Sequence, residues 1–210
     1  MLSTIRPALV LLAGFTLLCG LVYPAAVTGV AQMVFSEKAN GSLIRKEDRV
    51  LGSSLIGQPF SAPGYFWGRP SGTAPFANNA GASSGTNQGP LNPALHDAVK
   101  ARIEALRAAD PGNDGPVPVD LVTASASGLD PHISPAAAHY QIGRIARARG
   151  LDPAELRSLV ERHTEHRLLG LLGERRVNVL ELNLALDQLV GSPPAPSSAP
   201  VMRAGLGGGV

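Results

Sequence analysis

The chain has 210 residues, and its 18 lysines and arginines against 16 aspartates and glutamates leave a formal net charge of only +2. This balance argues against a nucleic-acid binder, whose surface is usually strongly basic. A single cysteine excludes an intrachain disulfide and any zinc or iron–sulfur site built from several cysteines. Charged residues make up 16% of the chain, against roughly 25% in an average soluble protein.

A long apolar segment follows Arg6. No charged residue or histidine occurs between Arg6 and Glu37, and about 20 apolar residues are enough for a helix to cross a bilayer. We therefore predict a short amino terminus over residues 1–6 and a transmembrane helix with its exit over residues 7–34. The alternative is a cleaved signal peptide, but its apolar core usually has only about 7–15 residues. The segment also lacks a clear cleavage site, so we expect it to be retained.

Three glycines in this segment, Gly14, Gly20 and Gly29, would let neighbouring membrane helices approach closely, because packing drives helix association in lipid. The flanking charges leave the orientation undecided. Arg6 precedes the segment, and residues 45–49 interleave three basic residues with two acidic ones. Long domains also cross a membrane largely regardless of such charges.

Capping residues predict four helices in the carboxyl-terminal half. The first three starts place a capping side chain directly before a proline, at Asn92–Pro93, Ser134–Pro135 and Asp152–Pro153. Asn178 with Glu181 three residues later resembles a capping box at the start of a fourth helix. We expect the first helix to end at Asp110, the second near Gly150 and the fourth before Gly191.

The remaining segments predict short strands and loops. Residues 36–89 are rich in helix breakers, and residues 117–123 are the best strand candidate. The mixture predicts an α+β fold for one domain over residues 36–190. Residues 191–210 are rich in proline, serine, alanine and glycine and should be disordered.

One short pattern is typical of serine hydrolases. Residues 81–85 match Gly-x-Ser-x-Gly, in which Ser83 would be the nucleophile on a strand-to-helix turn. The preceding residues make a poor strand, and Gly89–Pro90 interrupts any following helix. A polar loop is the favoured interpretation, and a membrane-anchored hydrolase stays open as an alternative.

Two histidine patterns also have a chemical and a structural interpretation. His163 and His166 lie three residues apart on a predicted helix, which is possible metal-ligand spacing, but two flanking arginines oppose a cation and favour a solvated face. Asp130 and His132 could transfer protons, although the prolines around them favour a turn closed by their polar groups. Arg144, Arg147 and Arg149 form a basic end that suits the negative terminus of the second helix as well as any anion.

Several motifs follow one another in a specific order along the chain. They are Tyr23–Pro24, residues 39–42 (Ala-Asn-Gly-Ser), residues 52–58 (Gly-Ser-Ser-Leu-Ile-Gly-Gln), residues 65–71 (Tyr-Phe-Trp-Gly-Arg-Pro-Ser), residues 118–125, residues 127–134 and residues 175–183. Together they resemble the KdpC family of the bacterial Kdp potassium-transporting P-type ATPase. At residues 83–87 this chain has Ser-Ser-Gly-Thr-Asn, where the family usually has Ser-Gly-Gly-Ser-Asn.

The resemblance implies a non-catalytic subunit of a high-affinity potassium uptake pump in the bacterial inner membrane. It implies a single membrane helix with residues 1–6 on the cytoplasmic side, an extracytoplasmic domain, and two partners, a channel-like potassium-binding subunit and a P-type ATPase subunit. The family is described as a catalytic chaperone that raises the ATP affinity of the hydrolysing subunit. No intrinsic cofactor is expected, and ATP would be bound only jointly with that subunit, since the chain has no P-loop lysine motif.

The resemblance also marks candidate site residues, whose roles it does not define. These are Gln58, Tyr65, Gly68, Arg69, Ser84, Asn87, Asp120, Ser125, Asp130, His132, Gln141, Asn178 and Asn183. A stand-alone anchored binding domain is the second alternative to a pump subunit. Co-purifying chains would distinguish the two.

Overall fold

A computed structural model of the chain describes residues 2–190, so the predicted disordered tail lies outside the described residues. The described part is mixed helix and sheet, which confirms the α+β class. It divides into two compact units that meet between Leu55 and Ile56. The domain start predicted at residue 36 stays a prediction.

The first unit begins with one long apolar helix in three parts. They are α1 (Leu2–Leu17), a π-helical turn (Leu18–Val22) and α2 (Tyr23–Val34). Within Thr4–Val34, an 18-residue window has a mean hydropathy of 2.1, and none of that window is buried inside the protein. The length and composition of this helix make it the one candidate membrane span among residues 2–190.

Pro24 accounts for the π-helical turn. A proline ring inside a helix collides with the carbonyl four residues earlier, here that of Gly20. The chain responds with a wider turn, in which the Tyr23 N–H donates to the carbonyl of Leu18, five residues earlier. The helix thereby continues through the proline without breaking.

A short polar segment follows the apolar helix within the first unit. Gln32 on α2 exchanges two side-chain hydrogen bonds with Asn40, at 3.2 and 3.0 Å. A single helical turn, α3 (Ser36–Ala39), separates them. The hairpin of β1 (Leu43–Lys46) and β2 (Arg49–Ser53) then completes this unit.

The second unit contains the four predicted helices. They are α4 (Pro93–Ala109), α5 (Pro135–Arg149), α6 (Pro153–Arg162) and α7 (Val179–Val190). Each predicted cap side chain accepts a hydrogen bond from a backbone N–H of the first turn, at 2.8–3.2 Å. Gly150 ends α5 in the left-handed conformation, with φ of 66°, which only glycine adopts without strain. The predicted helix starts and ends are confirmed.

A small antiparallel sheet brings distant segments together. Its strands are β3 (His132–Ile133), β4 (Thr164–Glu165) and β5 (Arg176–Asn178), in the order β3-β5-β4. His132 faces Asn178, and Thr164 faces Val177. The loop before α5 is thus held next to the start of α7.

The core of the second unit lies between α5, α6, α7 and this sheet. Its largest fully buried apolar side chains are Phe66, Ile145, Leu156, Val160, Val177, Leu182 and Leu186. Burying such a side chain contributes about 1.5–3 kcal/mol. Phe66 comes from the loop before α4, so that loop is part of the core.

The strand predicted over residues 117–123 is wrong. The chain forms a single 3₁₀ turn there, Val119–Leu121. Pro118 lacks an N–H for a sheet ladder, and the Asp120 carboxylate accepts hydrogen bonds from Ser134 N at 2.6 Å and Ser134 Oγ at 3.2 Å. This segment therefore anchors the start of α5 instead of pairing as a strand.

Candidate functional site

Two buried amides hold the extended segment around Phe66. Gln141 Oε1 accepts from the Trp67 N–H at 2.8 Å, and Gln141 Nε2 donates to the Trp67 carbonyl at 3.1 Å. Asn183 makes the same pair of bonds with Phe66, both at 2.9 Å. Gln141 on α5 and Asn183 on α7 thus satisfy backbone groups that no strand pairs with.

Two arginines of α5 complete this arrangement. The guanidinium carbon of Arg144 lies 4.1 Å from the Trp67 ring centroid, and that of Arg149 lies 4.5 Å from the Tyr65 ring centroid. Arg149 Nη2 also donates to Asp187 Oδ1 at 2.7 Å. Burial lowers the pKa of Arg144 to about 10, so the side chain stays charged at neutral pH. Burial and the neighbouring Asp187 carboxylate raise the pKa of Tyr65.

Arg69, Asp130 and His132 form a second polar cluster. Arg69 Nη1 donates to Asp130 Oδ2 at 3.2 Å, and Arg69 Nη2 donates to the Ala124 carbonyl at 3.3 Å. His132 Nδ1 lies 3.3 Å from Asp130 Oδ1, and His132 Nε2 lies 3.8 Å from Glu165 Oε1. The histidine therefore stands between two carboxylates.

Asp130 is held as an anion. Burial alone raises the pKa of Asp130, but hydrogen bonds from the His132 ring, the His132 N–H and Arg69 outweigh burial and lower the pKa to about 2. A general acid or base works best with a pKa near the working pH. Asp130 instead closes a turn, since its Oδ1 accepts from the His132 N–H at 3.0 Å, as the sequence favoured.

A cavity of about 410 Å³ opens beside this cluster. Its charged lining consists of Arg69, Arg175, Arg176, Asp120, Asp130, His132 and Glu174. Arg69 pairs with Asp130, Arg175 with Glu161 at 3.2 Å, and Arg176 with Glu165 at 2.8 Å. The walls are thus built from ion pairs, which fix the loops around the cavity and leave little charge to attract an anionic cofactor.

Two more candidate residues act at helix starts next to this cavity. Asp120 bonds to Ser134 at the start of α5. Asn178 is buried and accepts from the Glu181 N–H at 3.2 Å at the start of α7. Both side chains therefore serve the fold.

Ser84, Asn87 and Ser125 lie in a separate group of loops. The Ser84 N–H donates to the Ser127 carbonyl at 3.0 Å, and the carbonyl of buried Ser125 accepts from the Gly128 N–H at 3.3 Å. Asn87 has a positive φ of 51°, which asparagine tolerates better than most residues. Gly128 leaves no room for a Cβ, which would lie 2.6 Å from the Ser84 carbonyl oxygen.

Gln58 and Gly68 line a smaller cavity of about 280 Å³, together with Trp67 and Arg69. Arg69 thus borders both cavities. A Cβ at Gly68 would lie 3.9 Å from Val179 Cγ2, an ordinary contact. The candidate residues of the second unit therefore fall into several separate groups rather than one catalytic centre.

The hydrolase and metal hypotheses gain no geometric support. Ser83 follows a 3₁₀ turn (Ala80–Ala82), lies in a loop, and donates from Oγ to the Ser127 carbonyl at 3.0 Å. The predicted helical placement of His163 and His166 is wrong, because α6 ends at Arg162 and Thr164 pairs with Val177. Within residues 2–190, no group of three or more possible metal-ligating side chains is found.

Sequence reasoning missed the inward roles of Arg144 and Arg149. It interpreted them as a basic helix end, yet Arg149 reaches Asp187 and Arg144 donates to Gln141 Oε1 at 2.7 Å. A usable signal was present, because Gln141 and Arg144 are spaced i, i+3 on the face that carries Ile145. The pairing of Glu165 with His132 had no local signal.

Comparisons with known proteins give consistent matches. The family model described as "KdpC: K+-transporting ATPase, c chain" matches residues 5–188. The chain is 63% identical to a potassium-transporting ATPase KdpC subunit of Herminiimonas arsenicoxydans over 188 residues, which cover 90% of this chain and 99% of the relative. KdpC subunits of Methylococcus capsulatus and Polaromonas naphthalenivorans are 64% and 65% identical, each over 189 residues and 90% of this chain, and over 100% and 96% of the relative. The matches include both the apolar helix and the second unit.

Proposed function

The chain belongs to the KdpC family of the K+-transporting ATPase, and we propose that it is a non-catalytic accessory subunit that stabilises and tunes this pump. The proposal includes two partners, a channel-like potassium-binding subunit and a P-type ATPase subunit that hydrolyses ATP. It places the chain in the bacterial inner membrane, with the second unit outside the cytoplasm.

The proposed non-catalytic role is supported by the hydrogen bonds and ion pairs that the candidate site residues make inside the fold. Gln141 and Asn183 bind backbone groups, and Asp130 is fixed as an anion between Arg69 and His132. A catalytic group needs a reactive atom that is free to meet substrate and a pKa suited to proton transfer. These side chains instead give the second unit a fixed shape, which suits an accessory subunit.

The apolar helix supports association with membrane partners. The Thr4–Val34 span has no buried part within the protein, so its whole surface is available to lipid and to neighbouring helices. Lipid tails are as apolar as leucine, so helix association depends on close packing. A Cβ added at Gly14, Gly20 or Gly29 meets nothing within 4 Å inside the chain, which leaves these positions open to an approaching helix.

An effect on ATP affinity would have to act at a distance. If the second unit lies outside the membrane, it cannot touch cytoplasmic ATP. The chain would then raise ATP affinity through a coupling free energy carried by membrane helices. We propose this allosteric form of the chaperone role.

Comparing the pump with and without this chain tests the proposal. The tagged chain should co-purify with a polytopic subunit and a P-type ATPase, and it should hydrolyse no ATP when purified alone. Omitting it should abolish assembly, or lower potassium-stimulated ATP hydrolysis and raise the ATP concentration needed for half-maximal rate. Full assembly, hydrolysis and potassium transport without the chain would overturn the accessory role, although family membership would stand.

Protease accessibility tests the proposed sidedness. Protease added to intact spheroplasts should digest the second unit and leave the span protected. Protection of the second unit until the membrane is broken would reverse the orientation. Intact mass should include residues 1–35, and a mature amino terminus between Ala26 and Ser36 would mean that the span is cleaved.

A further inference from the structure

Four exposed leucines form the end of a loop between β4 and β5. This leucine tip, residues 168–172, has the sequence Leu-Leu-Gly-Leu-Leu. The exposed fractions are 66% for Leu168, 86% for Leu169, 83% for Leu171 and 62% for Leu172. Single exposed leucines are common on protein surfaces, whereas a contiguous exposed apolar group marks an interaction site.

The backbone holds the tip in a tight turn. Leu168 and Leu172 form an antiparallel bridge, with the Leu168 N–H donating to the Leu172 carbonyl at 2.8 Å. Leu169 and Gly170 occupy the turn with φ of 53° and 74°. Positive φ at both central positions favours Asn-Gly or Gly-Gly, so leucine at position 169 is unfavourable for the turn. The presence of a leucine at position 169 therefore indicates a role other than folding.

The ionisable side chains closest to the tip in sequence are basic, and the acidic ones lie farther away. Residues 166–173 contain His166 and Arg167 and no acidic residue, while the nearest acids are Glu165 and Glu174. Arg167 Nη2 lies 2.6 Å from Glu174 Oε2 in an exposed pair. Such exposed pairs contribute little stability, so Arg167 can leave the Glu174 carboxylate and bind another anion instead.

We propose that the leucine tip inserts into the headgroup region of the bilayer, where Arg167 meets an anionic lipid. An apolar loop flanked by an arginine matches the chemistry of membrane-surface segments, which bury apolar side chains and place arginine at the lipid phosphates. A narrow tip inserts between lipids, whereas a typical protein interface is a broad patch. The membrane span in the same polypeptide keeps a bilayer available at high effective concentration.

A fluorophore attached to the tip tests this proposal in the full chain. Cys19 is the only cysteine, so Cys19→Ser provides a background for labelling one site at a time. Leu171→Cys and, separately, Leu168→Cys carry an environment-sensitive nitrobenzoxadiazole label. The matched control is Leu91→Cys, because Leu91 is 92% exposed in the same unit. Each protein is reconstituted alone into phosphatidylcholine–phosphatidylglycerol vesicles with or without a spin-labelled quencher lipid.

The proposal predicts blue-shifted emission and strong lipid quenching at both tip positions, and water-like emission with little quenching at Leu91. Arg167→Gln or vesicles of pure phosphatidylcholine should reduce the quenching at the tip. Water-like, unquenched emission at both tip positions would overturn the proposal. A blue shift of the tip label that appears only when the other pump subunits are added would also overturn the proposal. It would identify the tip as a protein-binding surface. Because the chain is reconstituted alone, the result does not depend on the proposed pump role.

Discussion

Gln141 and Trp67 exchange two hydrogen bonds, from the Trp67 N–H to Gln141 Oε1 and from Gln141 Nε2 to the Trp67 carbonyl. A single side-chain amide on α5 thereby replaces the neighbouring strand that an extended segment normally needs. Arg144 covers the Trp67 ring and donates to the same Gln141 oxygen. The backbone of Trp67 in the loop before α4 is therefore held by this one amide, next to the Asn183 amide that holds Phe66.

Gln141→Leu should lower the free energy of unfolding by about 2–4 kcal/mol, because it leaves two backbone groups of Trp67 without partners. Trp67 is the only tryptophan, so its fluorescence reports unfolding in urea for the full chain in detergent. Gln188→Leu on the exposed side of α7 is the matched control and should change stability by less than about 0.5 kcal/mol. Equal effects of the two variants would contradict the role of Gln141.

Asp130 should contribute its full stabilisation only above about pH 4. Its pKa is lowered from 3.8 to about 2 in the folded protein, so the ionised carboxylate stabilises the fold above pH 3.8 and this contribution is lost as the pH falls towards 2. Its size is on the order of 2 kcal/mol. Asp130→Asn should therefore be less stable than the parent at pH 6, and the difference should vanish near pH 2.

Urea unfolding at several pH values measures the Asp130 effect. Asp114→Asn, at an exposed aspartate, is the control for loss of one surface charge and should behave like the parent throughout. A gap between Asp130→Asn and the parent that persists at pH 2 would refute the assignment of the acid-sensitive contribution to this carboxylate.

Gly128→Ala and Gly112→Ala separate backbone strain from steric collision. Both glycines have positive φ, 69° and 92°, but a Cβ at Gly128 would lie 2.6 Å from the Ser84 carbonyl oxygen, whereas one at Gly112 meets nothing within 4 Å. Gly112→Ala should cost about 1–2 kcal/mol from strain alone. Gly128→Ala should cost about 1–3 kcal/mol more, as measured by thermal or urea unfolding. Equal losses would show that the loops around Ser84 are not packed as described.

Gly20→Leu should weaken the proposed pump complex without unfolding this chain. A Cβ at Gly20 meets nothing within 4 Å inside the chain, so we expect the effect to reflect packing against another helix. A loss on the order of 1–2 kcal/mol in helix association corresponds to about five- to thirtyfold in complex affinity. Co-purification and potassium-stimulated ATP hydrolysis should fall together. Ser83→Ala should leave both near normal, and a large loss in that variant would contradict the interpretation of Ser83 as part of a polar loop.

The sequence predicted the helices because their signals are local. A cap such as Asp152 binds a backbone N–H two residues away, so the relevant contact is contained in the pattern itself. The strand expected at residues 117–123 failed because Asp120 bonds to Ser134, a contact across fourteen residues that periodicity does not encode. The same holds for α6, whose end at Arg162 is followed by pairing of Thr164 with Val177.

The arrangement of the candidate residues could not be predicted from the sequence. The turn at Asp130 followed from the polar groups next to it, and Asp130 does bond to the His132 N–H. Arg69, which pairs with Asp130, comes from a loop 61 residues before it, and Glu165, which faces His132 from the other side, comes from β4, 35 residues after it. Only the folded chain brings these charges together, and only then does the carboxylate become a fixed anion.

The π-helical turn at Leu18–Val22 changes which residues of the span point the same way. In a straight α-helix, with about 100° per residue, Thr16 and Thr28 would be separated by about 120° around the axis. One residue absorbed in the wider turn reduces that separation to about 20°. The two threonine hydroxyls then lie along one line of an otherwise apolar helix, where a neighbouring helix could accept hydrogen bonds from both. Because Pro24 requires the wider turn, it determines how the residues before the turn are rotated around the helix axis relative to those after it.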